Sequence, residues 1–277
     1  MSRKYFWTAI KALSLCLSVA VGMNVDAAER SSSNPWNASG GPGLRELAAA
    51  ADHNRFAYLL FWRNEDDTTQ RMNAALQEAK ATLKSPISLV SVSVDDVSQQ
   101  ELVEQFGADR APLPLVIAIA PNGAVTQAWV ADATAAQLQA GIVSQGTAAC
   151  LKAMQEQKLS LISVCNADAA NREGALQAAK QFQADERFAA AVELINIDPT
   201  DEREREFLAN LKVSPDQRDV VTLLVSPAGQ MIGSFPGQVT AEQLVAQIEA
   251  AQQSCCPGGQ CGPEGCCPDG QCPPSQN

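Results

Sequence analysis

Sulfur is concentrated near the C-terminus of this chain. Six of its nine cysteines fall within CCPGGQCGPEGCCPDGQC, in which CCPGGQC and CCPDGQC are separated by Gly-Pro-Glu-Gly. Thiols at this density can form disulfides, coordinate a soft ion such as Cu(I) or Zn(II), or cross-link the chain to a partner. The six residues are Cys255, Cys256, Cys261, Cys266, Cys267 and Cys272.

The composition of the tail, residues 254–277, favours disulfides for an exported chain, with copper or zinc as the alternative. Glycine and proline fill the gaps and no large apolar residue is present, so a packed core cannot form there. The spacing differs from the paired Cys-x-x-Cys of zinc ribbons. The single histidine, His53, offers little to a metal site or a catalytic triad. We expect no cofactor outside the tail.

Two further cysteines lie in the body of the chain. Cys150 falls in a predicted helix, and Cys165 ends a predicted strand. They can form a disulfide only if their side chains converge. Otherwise Cys165 is expected to be a small packing residue or, as a further alternative, a reactive thiol.

The first 27 residues have the pattern of an export signal. Arg3, Lys4 and Lys11 precede or flank an apolar stretch over 12–22, and small residues around 25–27 offer a cleavage site. That stretch is too short to span a bilayer. We therefore expect a periplasmic or extracellular protein with no transmembrane segment in the mature chain. Residues 28–43 are rich in Ser, Gly and Pro and are predicted to be a linker.

Charge excludes one class of partner and composition supports folded domains. The net charge of -11 repels phosphate backbones, so nucleic-acid binding is not expected. The apolar fraction of 46% is ample for packed cores. A protein or peptide is the expected partner.

One order of secondary structure occurs twice, over 44–144 and 145–253. Each copy has a helix, a strand, a long helix, a strand, a short helix, a hairpin and a final helix. Parallel strands joined by helices and followed by a hairpin predict an α/β fold with three layers, α/β/α. The predicted strands are 56–62, 87–94, 115–120 and 125–130, then 159–165, 192–197, 220–225 and 231–235.

The first copy resembles the thioredoxin-like family. The stretch Phe61-Trp62-Arg63-Asn64-Glu65 resembles the strand end that leads into the thioredoxin active site. Pro114 stands where that family has a cis-proline, and the hairpin around Pro121-Asn122-Gly123 resembles its closing hairpin. The resemblance covers 43–143 and, with weaker motifs, 146–252. It implies two thioredoxin-like domains in tandem.

The chain departs from that family at the active site. There the helix N-terminus lowers the pKa of the first cysteine of Cys-x-x-Cys, and its thiolate attacks a disulfide. The register of the first copy places Asp66, Asp67, Thr68 and Thr69 on this tetrad. The same offset places Ala169, Ala170, Asn171 and Arg172 there in the second copy. Neither set contains sulfur, so the chain is not expected to be a thiol-disulfide enzyme. Asp66 and Asp67 are expected to cap the helix.

The family's substrate groove lies beside Trp62 and Pro114 in the first copy. It can hold an extended polypeptide through backbone pairing, which predicts a binding or scaffolding module of the cell envelope. The second copy has Asp219-Val220 where the first has Leu113-Pro114. The alternatives are a metal-binding protein that works through the tail and an oxidoreductase that uses tail cysteines or Cys165.

Overall fold

The fold is given by a computed structural model that describes residues 34–253, apart from 167, 170, 215, 217 and 218. The chain divides into two compact units, and the division falls after Gln155. We call residues up to Gln155 unit 1 and residues from Glu156 unit 2. The predicted export signal and the cysteine-rich tail lie outside the described residues.

Unit 1 is a four-stranded mixed sheet in the order β2-β1-β3-β4. Strands β1 and β2 are parallel, whereas β3 is antiparallel to both β1 and β4. The elements are α1 (Pro42–Asp52), β1 (Phe56–Trp62), α2 (Asp67–Thr82), β2 (Ile87–Ser93), α3 (Gln100–Phe106), β3 (Leu115–Ile119), β4 (Val125–Val130), α4 (Ala135–Leu138) and α5 (Gln145–Gln155).

Alternation along β1 gives the sheet of unit 1 two buried faces. Leu59 and Phe61 belong to a cluster that includes residues of α1 and α3. Tyr58 and Leu60 belong to a second cluster, formed with α2 and α4. Side chains of period two pointing to opposite faces require a helical layer on each side. The predicted α/β/α architecture is confirmed.

Unit 2 repeats this sheet in the order β6-β5-β7-β8, with the same parallel and antiparallel pairings. One face packs against its long helix and its last helix around Leu161, Phe182 and Leu244. The elements are β5 (Leu159–Val164), α6 (Arg172–Ala184), β6 (Val192–Ile197), α7 (Arg205–Asn210), β7 (Val221–Val225), β8 (Met231–Pro236) and α8 (Ala241–Gln253).

The structure differs from the predicted boundary between the two copies. The sequence assigned α5 to the second domain, but the division after Gln155 leaves this helix in unit 1. Ala148 and Leu151 of α5 pack against Ala120 and Ala124, which flank the β3–β4 turn. A helix that precedes the first strand of unit 2 in sequence can thus pack against unit 1. The periodicity of its apolar residues does not show which of the two units it packs against.

Part of the predicted linker is folded. Trp36 packs against the core cluster beneath α1, with its ring centroid 6.2 Å from that of Phe106. Asn34 donates hydrogen bonds to the carbonyl of Ala48 at 2.7 Å and to Asp52 at 2.8 Å. In the part of the chain that the structure describes, no helix is long and apolar enough to cross a bilayer.

Candidate functional site: the strand-end edge of unit 1

Four segments of unit 1 meet at one end of its sheet, where strands begin or end. Register pairs Phe61 with Leu115 and Leu115 with Val130, so β1 ends where β3 begins and β4 ends. Trp62 pairs with Ser93, which brings the end of β2 to the same edge. The segments are 63–66 after β1, 94–98 after β2, 112–114 before β3 and 131–132 after β4. We call them together the strand-end edge.

Asp66 caps the helix that leaves this edge. Its extended backbone makes it the N-cap of α2, and its carboxylate accepts a hydrogen bond from the Thr69 backbone N–H at 2.8 Å. That hydrogen bond is the main reason why the pKa of Asp66 lies below its ordinary value of 3.8. A carboxylate thus occupies the helix N-terminus that would stabilise a thiolate.

The rest of the first predicted tetrad follows Asp66 into the helix. Asp67 is the first helical residue and is exposed, where its charge favours the positive end of the helix. Thr68 is half-buried and its hydroxyl accepts a hydrogen bond from Arg71 at 3.3 Å. Thr69 is buried. Asp66 is therefore the capping residue, whereas Asp67, Thr68 and Thr69 are the first three residues of the helix.

Trp62 is the last residue of β1 and Pro114 directly precedes β3, so both residues of the predicted groove lie at the strand-end edge. The peptide bond between Leu113 and Pro114 is cis. Pro114 is buried, and its carbonyl accepts a hydrogen bond from Ala131 N–H at 2.9 Å. The Trp62 indole turns away from Pro114 and donates to Ser91 Oγ of β2 at 2.9 Å. Ser91 pairs with Leu60, two residues before the end of β1, so the Trp62 indole is directed back along β2 from the strand end.

Two features of the edge were missed from the sequence. Within the described residues, neither the N–H nor the C=O of Leu113 makes a backbone hydrogen bond. Val97, in the short turn after β2, is 85% exposed, which is unusual for a large apolar side chain. Neither could be found from patterning, because a polar turn gives no sign of which side chain it leaves in solvent.

The second predicted tetrad is only partly correct. The N-cap of α6 is Asn171 and its first helical residue is Arg172, but the Asn171 side chain makes no capping hydrogen bond. Ala169 lies in the preceding loop, and Ala170 is outside the described residues. Counted from the matching strand residues Phe61 and Val164, the long helix begins two residues later in unit 2 than in unit 1, so a constant offset misplaces the helix start.

Strand pairing matches the second strands of the two sheets residue by residue. Val92 corresponds to Ile197, because Phe61 pairs with Val92 and Val164 pairs with Ile197. Asp96 and Asp201 then correspond as N-caps of the two short turns.

Cys165 follows β5 at the corresponding edge of unit 2. Its backbone N–H donates to the carbonyl of Ile197 at 3.0 Å, and its side chain is partly exposed. It lines a shallow cavity of about 240 Å³ together with Arg172, Asn196 and Asp198. Cys150 is buried, and both residues are thiols, so the disulfide considered between them is not formed in this structure.

The part of the chain that the structure describes contains no cluster of potential metal ligands. Among residues 34–253, with the gaps given above, no group of three or more His, Cys, Asp or Glu side chains could hold an ion. The six tail cysteines lie outside this range, so copper or zinc binding there stays a prediction.

Similarity to known proteins is confined to solved structures. No protein-family model and no curated protein sequence matches the chain. It is similar to oxidised thioredoxin of Plasmodium falciparum, with 15% identity over 34% of this chain and 85% of that one, at a TM-score of 0.28. It is also similar to the N-terminal domain of alkylhydroperoxide reductase from Enterococcus faecalis, with 13% identity over 73% and 96%, at a TM-score of 0.26.

A third similar structure contains the first two thioredoxin domains of Eps1p from Naumovozyma dairenensis. The identity is 13% over 72% of this chain and 92% of that one, with a TM-score of 0.26. At these values the similarity assigns no activity to this chain. Strand order and pairing in both units, with the cis-proline of unit 1, are those expected from the resemblance, and the chain has two thioredoxin-like units in tandem.

Proposed function

We propose that the chain is an exported, non-catalytic thioredoxin-like protein that binds an extended polypeptide at the strand-end edge of unit 1. The observation that carries the proposal is the Asp66 cap. Disulfide exchange in this fold needs a thiolate at the start of the long helix. That position holds a carboxylate bonded to Thr69 N–H, and no cysteine occurs between Cys16 and Cys150.

The features that support peptide binding do not depend on the catalytic cysteines that this position lacks. The unpaired backbone of Leu113 lies beside the buried Pro114, next to the end of β1. An extended peptide can pair with such a backbone segment and so gain main-chain hydrogen bonds without a catalytic group.

A turnover assay tests the non-catalytic part. The full mature chain is incubated with insulin and dithiothreitol, and turbidity is followed beside a protein-free sample and a Cys165→Ser variant. We expect all three rates to agree. A rate above background that the Cys165→Ser substitution abolishes would replace this proposal with an oxidoreductase centred on Cys165.

A binding assay tests the rest. Cysteine-free peptides of about 12 residues, long enough to cross the sheet edge in extended form, are titrated into the ¹⁵N-labelled chain. We expect chemical-shift changes in the amide of Leu113 and the indole N–H of Trp62. Shifts confined to unit 2, or none with any peptide, would rule out this edge as the binding site.

A further inference from the structure

Carboxylates surround the strand-end edge of unit 1. Six exposed acidic side chains lie in three of its four segments and at the start of α2, namely Glu65, Asp66, Asp67, Asp95, Asp96 and Asp132. The only basic side chain in those segments is Arg63, whose Nε lies 3.4 Å from Asp95 Oδ1. Arg71 of α2 also interacts electrostatically with Asp66, and after both cations are counted an excess of negative charge remains at the strand-end edge.

Carboxylates on adjacent strand ends are close enough for their fields to add. The segments after β2 and β1 are one strand interval apart, about 5 Å, and the segment after β4 is two intervals from β1, about 10 Å. These separations are within or at the screening length of about 8 to 10 Å at physiological ionic strength. A ligand lying along the strand-end edge meets several carboxylates at once, so its charge decides how readily it approaches.

Apolar and backbone features show that the ligand is more than a counter-ion. Val97, 85% exposed, projects from the same loop as Asp95 and Asp96. Leu113 offers an unpaired N–H and C=O between the acidic segments. A polypeptide supplies all the complementary groups, namely backbone for Leu113, an apolar side chain for Val97 and cations for the rim.

We propose that this edge binds an extended lysine- or arginine-rich segment of a partner protein. The inference rests on the proposed function and adds the chemistry of the partner to it. Side chains alternate along an extended segment. One set can therefore face Val97 while the other reaches the carboxylates. The equivalent edge of unit 2 also carries exposed carboxylates, among them Glu173, Glu202 and Asp219, but there Arg172 stands exposed at the start of α6.

The test compares three cysteine-free peptides that share one apolar backbone pattern and differ only in carrying Lys, Gln or Glu at alternate positions. Affinity for the full mature chain is measured by calorimetry, and contacts are mapped by amide shifts. We expect the Lys peptide to bind at least about tenfold more tightly than the Glu peptide, as for a few exposed ion pairs. The preference should fall when salt rises from about 0.05 to about 0.5 M.

Charge variants locate the effect. The triple substitution Glu65→Gln, Asp67→Asn and Asp132→Asn removes rim charge while leaving the Asp66 cap and the Arg63–Asp95 pair intact. The matched control is Glu78→Gln, Glu186→Gln and Glu206→Gln, three exposed carboxylates outside the strand-end edge. We expect only the first variant to lose most of the preference for the Lys peptide, with circular dichroism unchanged in both. The unfolding midpoint of the first variant should fall slightly, because Asp67→Asn removes a charge that favours the helix N-terminus.

The outcomes separate the two proposals. Equal binding of all three peptides at Leu113 keeps the binding function and overturns the cationic partner. An equal loss of preference in both triple variants also overturns it, because the effect would then reflect net charge. Binding of none of the peptides overturns both proposals.

Discussion

The two units have sheets of the same topology and differ in how the long helix begins. In unit 1 a short loop delivers Asp66, which caps α2 through the Thr69 N–H. In unit 2 a longer loop delivers Asn171, which makes no such bond, and Arg172 follows it. The same sheet topology thus accommodates two different helix starts. The sheet defines the architecture, whereas the residues at the helix start define the local chemistry.

Packing beneath the two helices differs as well. The buried positions Thr69, Met72 and Leu76 of α2 repeat in α6 as Ala175, Ala178 and Phe182, with the same spacing. Across the sheet, the Leu60–Val116 pair of unit 1 is replaced by Ser163 and Thr222 in unit 2. Unit 2 therefore has smaller and more polar side chains under the start of its long helix.

The largest effect is expected from restoring sulfur to unit 1. Asp66→Cys with Thr69→Cys places a thiol at the helix N-cap, where its pKa should fall. We expect insulin reduction on the order of tenfold above the dithiothreitol background, since one pKa unit changes the thiolate fraction by up to that factor. The same pair at Asn171 and Gly174 should give less. Equal rates would mean that the different helix starts have no chemical consequence.

A core substitution should give the next largest effect. Met72 is fully buried, so Met72→Ala is expected to lower the free energy of unfolding of unit 1 by about 2 to 5 kcal/mol. Urea unfolding followed by hydrogen exchange, read separately for each unit, measures it. Gln77→Ala on the exposed face of α2 serves as the control. A loss below about 1 kcal/mol would show that α2 can settle onto the sheet as the alanine-rich α6 does.

Removing the two caps should give a smaller, unequal pair of effects. Asp66→Ala leaves the Thr69 N–H without its acceptor, whereas Asn171→Ala removes no capping bond. We expect a lower unfolding midpoint for the first variant and a nearly unchanged midpoint for the second. Asp66→Asn, which keeps an acceptor oxygen, should recover most of the loss. A larger effect at Asn171 would contradict the difference drawn between the units.

The smallest effect concerns pH. Because the folded-state pKa of Asp66 lies below 3.8, its carboxylate stabilises the fold above that value and loses this contribution as pH falls through the folded pKa. The stability difference between the wild-type chain and Asp66→Asn should therefore shrink below about pH 4. Denaturant titrations of both proteins from neutral to acid pH measure this. A difference that stays constant would assign the stabilisation to the hydrogen bond alone.

Most of the fold could be predicted because it depends on local patterns. The continuous apolar run Phe56–Trp62 is a strand with the predicted ends, and so are Val125–Val130 and Val192–Ile197. The hairpins follow from their Pro-x-Gly turns, with Gly123 and Gly229 at positive φ.

The predictions that were wrong concern features that depend on long-range contacts or on loop length. The capping role of Asp66 could be predicted, since Asp before a helix is a local signal. The helix start in unit 2 could not be predicted, because the longer loop carries no periodic pattern. Asn171 occupies the N-cap position there but makes no capping hydrogen bond. Trp36 lies in a Ser-, Gly- and Pro-rich stretch, and its packing also depends on a residue that is distant in sequence, Phe106.

The contact between α5 and the outer strand of unit 1 has a consequence for self-association. Val125 N–H donates to Gln155 Oε1 at 3.0 Å, and Gln155 Nε2 donates back to the Val125 carbonyl at 2.7 Å. The amide of this glutamine satisfies the strand as a neighbouring peptide group would. An intruding strand would first have to displace Gln155, so the chain resists edge-to-edge growth of its sheet at that point.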